Sequence, residues 1–424
     1  MTANSLPSLA AETAPVDNPH ELLPFVDPHD PLLWIRRGVG IAGIGSCLRL
    51  EFSGPARFAE AAARWRAIAA EALVVDPVDL PGTGLVAFGT FAFSDQCHER
   101  SVLIVPEIVL GRRNGVSWMT RIRVAHPGDH GANAPQREVR LDSVPEPHPF
   151  GAAYKISLTP GAMGADAYRS AVATTVDLIK QRHLSKAIIA RDLVGQLPRE
   201  SDIRLAVGKL AERYPDTWTF AIDGLVGSSP ETLVSVDRKE VRARVLAGTV
   251  ARGADAEADR EAETSLLSSK KEQDEHEFAV QSVFSALTRH STDLARSEKP
   301  YALKLPNLWH LATDVVGTLS DGSSSLDLIA ILHPTAAVAG TPTTDALSLI
   351  EKLEPFDRGR YAGPVGWVGA DGNGDWAIAL RCAQIAPDGG VTAYAGAGIV
   401  DASEPDREFT ETHTKFRPIV EAFG

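Results

Sequence analysis

The chain has 424 residues, is 44% hydrophobic and 23% charged, and carries a formal net charge of −13. That length holds two or three domains of roughly 100–200 residues, or one large sheet-built domain. The acidic balance excludes a general nucleic-acid binder, which needs a Lys/Arg surplus, but allows an anionic substrate wherever a local cation or metal reverses the field in a pocket.

Taken in chain order, residues 1–30 carry scattered prolines and short apolar pieces without periodicity and read as a tail or irregular lead-in. The first basic residue is Arg36, so the charged start of a secretory signal is missing, and no apolar run approaches the roughly 18 residues of a membrane span. A strand Leu48–Phe52, an Ala-rich helix Ala56–Leu73 and strands Gly84–Phe93 and Ser101–Val105 follow. The Pro-rich stretch Pro135–Pro149 is the candidate internal boundary, near 135–150, within an otherwise single domain 31–424. Beyond it come a helix Ala165–Gln181, a strand Ala187–Val194, and strands Thr217–Ile222, Thr232–Val236 and Val241–Leu246, the last two joined by a turn at Asp237-Arg238-Lys239. A long helix Arg260–Arg289 and late strands Val365–Gly369, Trp376–Ile385 and Val391–Ile399 lead to a C-terminal helix capped by Ser403. Short hairpins with few helices predict an α+β fold rather than a parallel doubly wound sheet. Cys47, Cys97 and Cys382 lack CxxC spacing, which predicts a reduced, cytoplasmic protein without a disulfide framework or zinc site.

Several residues carry chemistry. At 100° per residue, Ala279, Val283, Ala286 and Leu287 define an apolar arc that also takes in Glu272, Glu275 and His276, while Lys270, Asp274 and Glu277 point away. Carboxylates on an apolar arc need a metal, a cation or a proton. In the C-terminal helix Glu408, Glu411 and Lys415 share one face with Ile419; surface salt-bridging explains that face as well as metal binding does. Two acidic helix faces fit a hard divalent cation, magnesium by preference. Lys186 shares a strand face with Ile188 and Ala190. It is either a strand-end lysine reaching water, or a general base kept uncharged by burial or by a neighbouring cation such as Arg381. Glu231, after a proline at a strand entry, reads by itself as an exposed turn carboxylate. Leu246-Ala-Gly-Thr249 and Tyr394-Ala-Gly-Ala-Gly-Ile399 set small residues beside strands, where backbone amides can approach a carboxylate.

Together with Leu308-Trp-His-Leu-Ala-Thr313, His333-Pro-Thr-Ala-Ala-Val338, Leu353-Glu-Pro-Phe-Asp-Arg358 and Gly374-Asp-Trp-Ala-Ile-Ala-Leu-Arg381, these stretches resemble the chorismate-utilising enzymes, most closely the isochorismate synthases of siderophore and menaquinone synthesis. The resemblance covers the C-terminal two-thirds in family order. It implies large antiparallel sheets packed face to face with helices outside, and an isomerase that adds water to carbon 2 of chorismate and expels the carbon 4 hydroxyl. It further implies Lys186 as general base, Glu231 as general acid, and Glu275 and Glu411 as magnesium ligands with Glu272 and Glu408 in support through water. Arg381, Tyr361 and the backbone at Gly398 would hold the enolpyruvyl carboxylate. His310 and Lys415 would lie beside the ring carboxylate and the metal carboxylates, and Gly248 and Thr249 near the leaving hydroxyl. Ala337 stands where ammonia-using relatives carry Thr or Ser, and with Lys186 it points to water, with no glutaminase subunit and a monomer expected. The alternatives are a salicylate synthase, an ammonia-using chorismate enzyme and an inactive chorismate-binding regulator; retention of both acid and base argues against the last. Ala190 in place of a common serine and Val338 in place of leucine depart from the pattern.

Overall fold

The computed structural model describes residues 7–125, 144–304 and 308–424; the side chains of Thr249, Lys271 and Glu275 lie outside that description. Most of the proposed 135–150 boundary lies outside it too, and residues 144–150 run on as irregular chain.

Two large sheets, of 13 and 10 strands among the described residues, form the molecule. Every described strand pair is antiparallel except Leu9–Pro15 with Leu73–Val75. The sheets face each other across one apolar core that runs from Leu9 to Ile399 and includes Trp34, Phe88, Phe91, Phe220 and Trp376. Helices Ala165–Lys180, Arg204–Arg213, Thr343–Leu353 and Pro405–Phe423 pack on the larger sheet. Helices Arg57–Glu71, Ala256–Ser268, Lys270–Thr288 and Ser325–Leu332 pack on or beside the smaller one. Strands such as Ser101–Val105 and Gly374–Ile378 are therefore buried on both faces and show no polar alternation. Among the described residues no helix is long and apolar enough to cross a membrane.

Four sequence expectations need correction. The lead-in 1–30 contains a strand, Leu9–Pro15, inside the larger sheet between Val116–Val124 and Leu73–Val75. The helix expected over 260–289 is two helices, Ala256–Ser268 and Lys270–Thr288, broken where Ser269 turns extended (ψ 110°) and accepts the Glu272 amide. The strand Trp376–Ile385 is interrupted by Arg381, whose backbone is left-handed (φ 49°). Ser403 does not cap the last helix; its hydroxyl accepts the Val400 amide and Glu404 holds the cap position.

One buried ion pair ties distant segments together. Arg204 and Asp202 meet at 2.7 Å with side chains 0% and 3% exposed. The same guanidinium donates to the carbonyls of Pro24, His148 and Pro149. Removing one partner of such a pair leaves an unmatched buried charge, so Arg204→Ala is expected to cost about 3–5 kcal/mol in denaturant unfolding. A loss below about 1 kcal/mol would show that water replaces the guanidinium.

Candidate active site

A cavity of about 380 Å³ opens along the seam between the two sheets, within the size range of small-ligand sites. From the larger sheet it takes Lys186, at the start of strand Lys186–Gln196, and Gly398 in the neighbouring strand Gly390–Ile399. Ile188 pairs with Gly398, and the Lys186 side chain lies across that glycine. A Cβ at Gly398 would sit 2.9 Å from Lys186 Cε and 3.4 Å from Nζ, so any side chain there would shift the lysine from this position. Lys186 and Ile188 share a face as expected, since both side chains meet Gly398 and line the cavity, although burial itself does not alternate along this strand.

Glu231 enters from the smaller sheet. The exposed turn that its sequence context suggested is not what forms. Its amide donates to Ser229 Oγ and its carbonyl accepts Ile378 N–H, which fixes the backbone, and the residue is only 7% exposed. Burial pushes its carboxyl up to about 7, against the pull of Arg381, Lys186 and Lys415. Arg381 reaches the same cavity from the strand break; burial lowers its ordinarily high pKa despite Tyr361, Glu411 and Glu231 nearby. Tyr361 is buried, stacks on Tyr394 at 5.2 Å, and is held well above the usual phenol range by burial.

The remaining wall is acidic and basic together. Gly248 sits in a bulge of strand Glu240–Ala251 at φ 79°, where its missing Cβ makes space for the Glu272 carboxylate. His310 faces that bulge from strand Leu308–Leu319, its Nδ1 3.3 Å from the Gly248 carbonyl. Burial, with Arg381 and Lys415, holds His310 down to about 3, so its ring is neutral at pH 7. Glu408 and Glu411 project from the C-terminal helix into the cavity. Lys415 pairs with Glu411 at 2.6 Å and donates to the Gly396 carbonyl at 2.8 Å. Burial and then Glu411 push the Glu408 carboxyl upward, while Lys415 and Arg381 overcome burial to hold Glu411 low.

Among the described residues no three His, Cys, Asp or Glu side chains already form a metal-holding group. The donors that face the cavity are nevertheless oxygen donors of the kind hard cations take, and the crowding of Glu408 by Glu411 is a strain that a divalent cation would relieve. The residues present fit magnesium.

Of the residues singled out from sequence, Lys186, Glu231, Gly248, Glu272, His310, Ala337, Tyr361, Arg381, Gly398, Glu408, Glu411 and Lys415 line this one cavity. The side chains of Thr249 and Glu275 lie outside the described residues. Sequence reasoning missed Ser269, hidden by reading one continuous helix, and Arg407, which lies off the Glu408–Glu411–Lys415 stripe; both also line the cavity. His276 shares the arc as expected but bonds Thr313 Oγ1 at 2.7 Å rather than lining the cavity.

A family model described as chorismate binding enzyme matches residues 5–424. The chain belongs to the chorismate-binding enzyme family. It is similar to the isochorismate synthase MenF of Bacillus subtilis, 34% identical over 265 residues, which are 61% of this chain and 56% of that protein. Against the salicylate biosynthesis isochorismate synthase of Pseudomonas aeruginosa it is 30% identical over 426 residues, covering 94% of this chain and 89% of that one. The crystal structure of DhbC from Bacillus anthracis superposes with a TM-score of 0.76 at 29% identity, over 95% of this chain and 98% of the other. Lys186, Arg381 and Lys415 are gathered in one cavity of a chain whose formal net charge is −13.

Proposed function

We propose that this family member is a magnesium-dependent isochorismate synthase. The observation that carries the reading is a buried carboxyl poised near neutrality, Glu231, sharing a cavity with Lys186 and the cation Arg381. Lys186 takes a proton from water as the water oxygen bonds to ring carbon 2. The carbon 1–2 double bond moves to carbons 1–6, and the carbon 5–6 double bond moves to carbons 4–5. The hydroxyl leaves carbon 4 with the proton of Glu231, as water. One water enters and one departs, so substrate and product are isomers. Each of the two proton transfers is worth typically about 10²–10⁴-fold in rate.

Arg381, Tyr361 and the Gly398 backbone orient the enolpyruvyl carboxylate, and His310, neutral and with its one N–H given to the Gly248 carbonyl, lies beside the ring carboxylate without adding charge. Gly248 and Thr249 line the leaving-group side. Magnesium, on Glu275 and Glu411 with Glu272 and Glu408 behind, would supply the positive centre for the ring carboxylate. Excess EDTA is therefore expected to abolish turnover and added magnesium to restore it; full turnover in EDTA would remove the metal from the account.

Ala337 offers no hydroxyl to orient an amine, and Lys186 serves a nucleophile that must lose a proton, so water is the nucleophile and no glutaminase subunit is needed. Incubation with chorismate, magnesium and ammonium salt should yield isochorismate, resolved by chromatography and mass. A predominant aminated product would contradict the choice of water, and predominant salicylate with pyruvate would make the chain a salicylate synthase.

A further inference from the structure

Behind the wall of the cavity lies a second buried ion pair, Arg358 with Glu354, whose side chains are each 2% exposed and meet at 2.6 Å. Neither residue lines the cavity. Their remaining bonds go to two particular segments. Arg358 Nη2 donates to the Ile188 carbonyl at 2.8 Å and Nη1 to the Val338 carbonyl at 3.0 Å. Glu354 Oε1 accepts the Ala190 amide at 2.8 Å. Ile188 lies two residues beyond Lys186, and Val338 directly follows Ala337. The guanidinium fork thus bridges the strand that carries the proposed base and the loop that carries the residue facing the incoming nucleophile.

Stability alone is a poor reason for such a pair, because well-packed apolar residues often replace a buried ion pair at no loss. A planar fork that spans two carbonyls does what packing cannot: it sets the spacing between two chain segments. We propose that Arg358 and Glu354 are positioning residues that fix Lys186 relative to Ala337 and thereby determine which nucleophile reacts and whether the product is released intact. This rests on the isochorismate synthase reading.

Arg358→Lys keeps the charge but cannot span both carbonyls. It is expected to lower kcat by about 10²-fold, the scale of a small misplacement of reacting groups, with KM for chorismate changed by no more than about two-fold. In ammonium buffer the fraction of aminated or pyruvate-eliminated product should rise. Glu354→Gln, which keeps an acceptor for the Ala190 amide but weakens the fork, should shift kcat and product ratio in the same direction. It serves as the second variant if Arg358→Lys does not fold. Either variant, folded but with unchanged kcat and unchanged product ratio whatever its melting temperature, would overturn the positioning role. Failure of the unchanged enzyme to make isochorismate would instead strike the functional reading, so the two failures are told apart.

Discussion

Glu231→Gln is expected to lose about 10²–10⁴-fold in turnover and yet to melt at a higher temperature than the unchanged protein at pH 8. The two effects share one cause. The carboxyl is buried, and its pKa rises from 4.5 to about 7 on folding. Between those values the folded protein binds more protons at this site than the unfolded chain does, so stability falls as pH rises through the window, and above about pH 7 the loss is complete. A shift of that size corresponds to roughly 3 kcal/mol as a ceiling, at 1.36 kcal/mol per unit. Glutamine cannot ionise and escapes the penalty, but it also cannot give a proton to the departing hydroxyl. At pH 4 the native carboxyl is protonated in both states, and the two melting temperatures should converge. Equal melting temperatures at pH 8 would mean that Glu231 finds enough solvation to ionise freely. The same group predicts that kcat/KM declines as pH rises past about 7, because the acid form is then lost.

Lys186→Ala should lower kcat by about the same 10²–10⁴-fold, with chorismate binding far less affected. Its companion, Gly398→Ala, tests the lysine's position without touching its chemistry. The added methyl would meet Lys186 Cε at 2.9 Å and Ile188 Cδ1 at 3.3 Å, which forces the amine off its place across the strand. A displacement of that kind is expected to cost about 10²-fold in kcat. Near-normal turnover of Lys186→Ala at neutral pH would assign the base to another group.

Much of the site was legible because helix and strand periodicities report which side of an element is buried. The arc through Ala279 and Val283 took in Glu272, and the phase of Glu408, Glu411 and Lys415 put them on one face; all four line the cavity. What stayed hidden depends on tertiary contact. Glu231 looks like a turn carboxylate until Ile378 and the opposite sheet cover it. A non-glycine residue carries no sequence sign of left-handed backbone, so the break at Arg381, whose side chain lines the cavity, looks in the sequence like continuous strand. Leu9–Pro15 reads as lead-in because its alanines and terminal proline show no clear alternation, although all of it but Glu12 and Pro15 is buried. The helix break at Ser269 was masked by strong helix formers on both sides of it.

Water addition is the central claim, and isotopic oxygen tests it most directly. Turnover of unlabelled chorismate in water enriched in oxygen-18 should give isochorismate with one labelled oxygen, on carbon 2, and none at the enolpyruvyl ether. Residual chorismate recovered early, before the back reaction contributes, should stay unlabelled. Isochorismate formed without label would mean that the hydroxyl migrates within the substrate, and would contradict attack by water activated at Lys186.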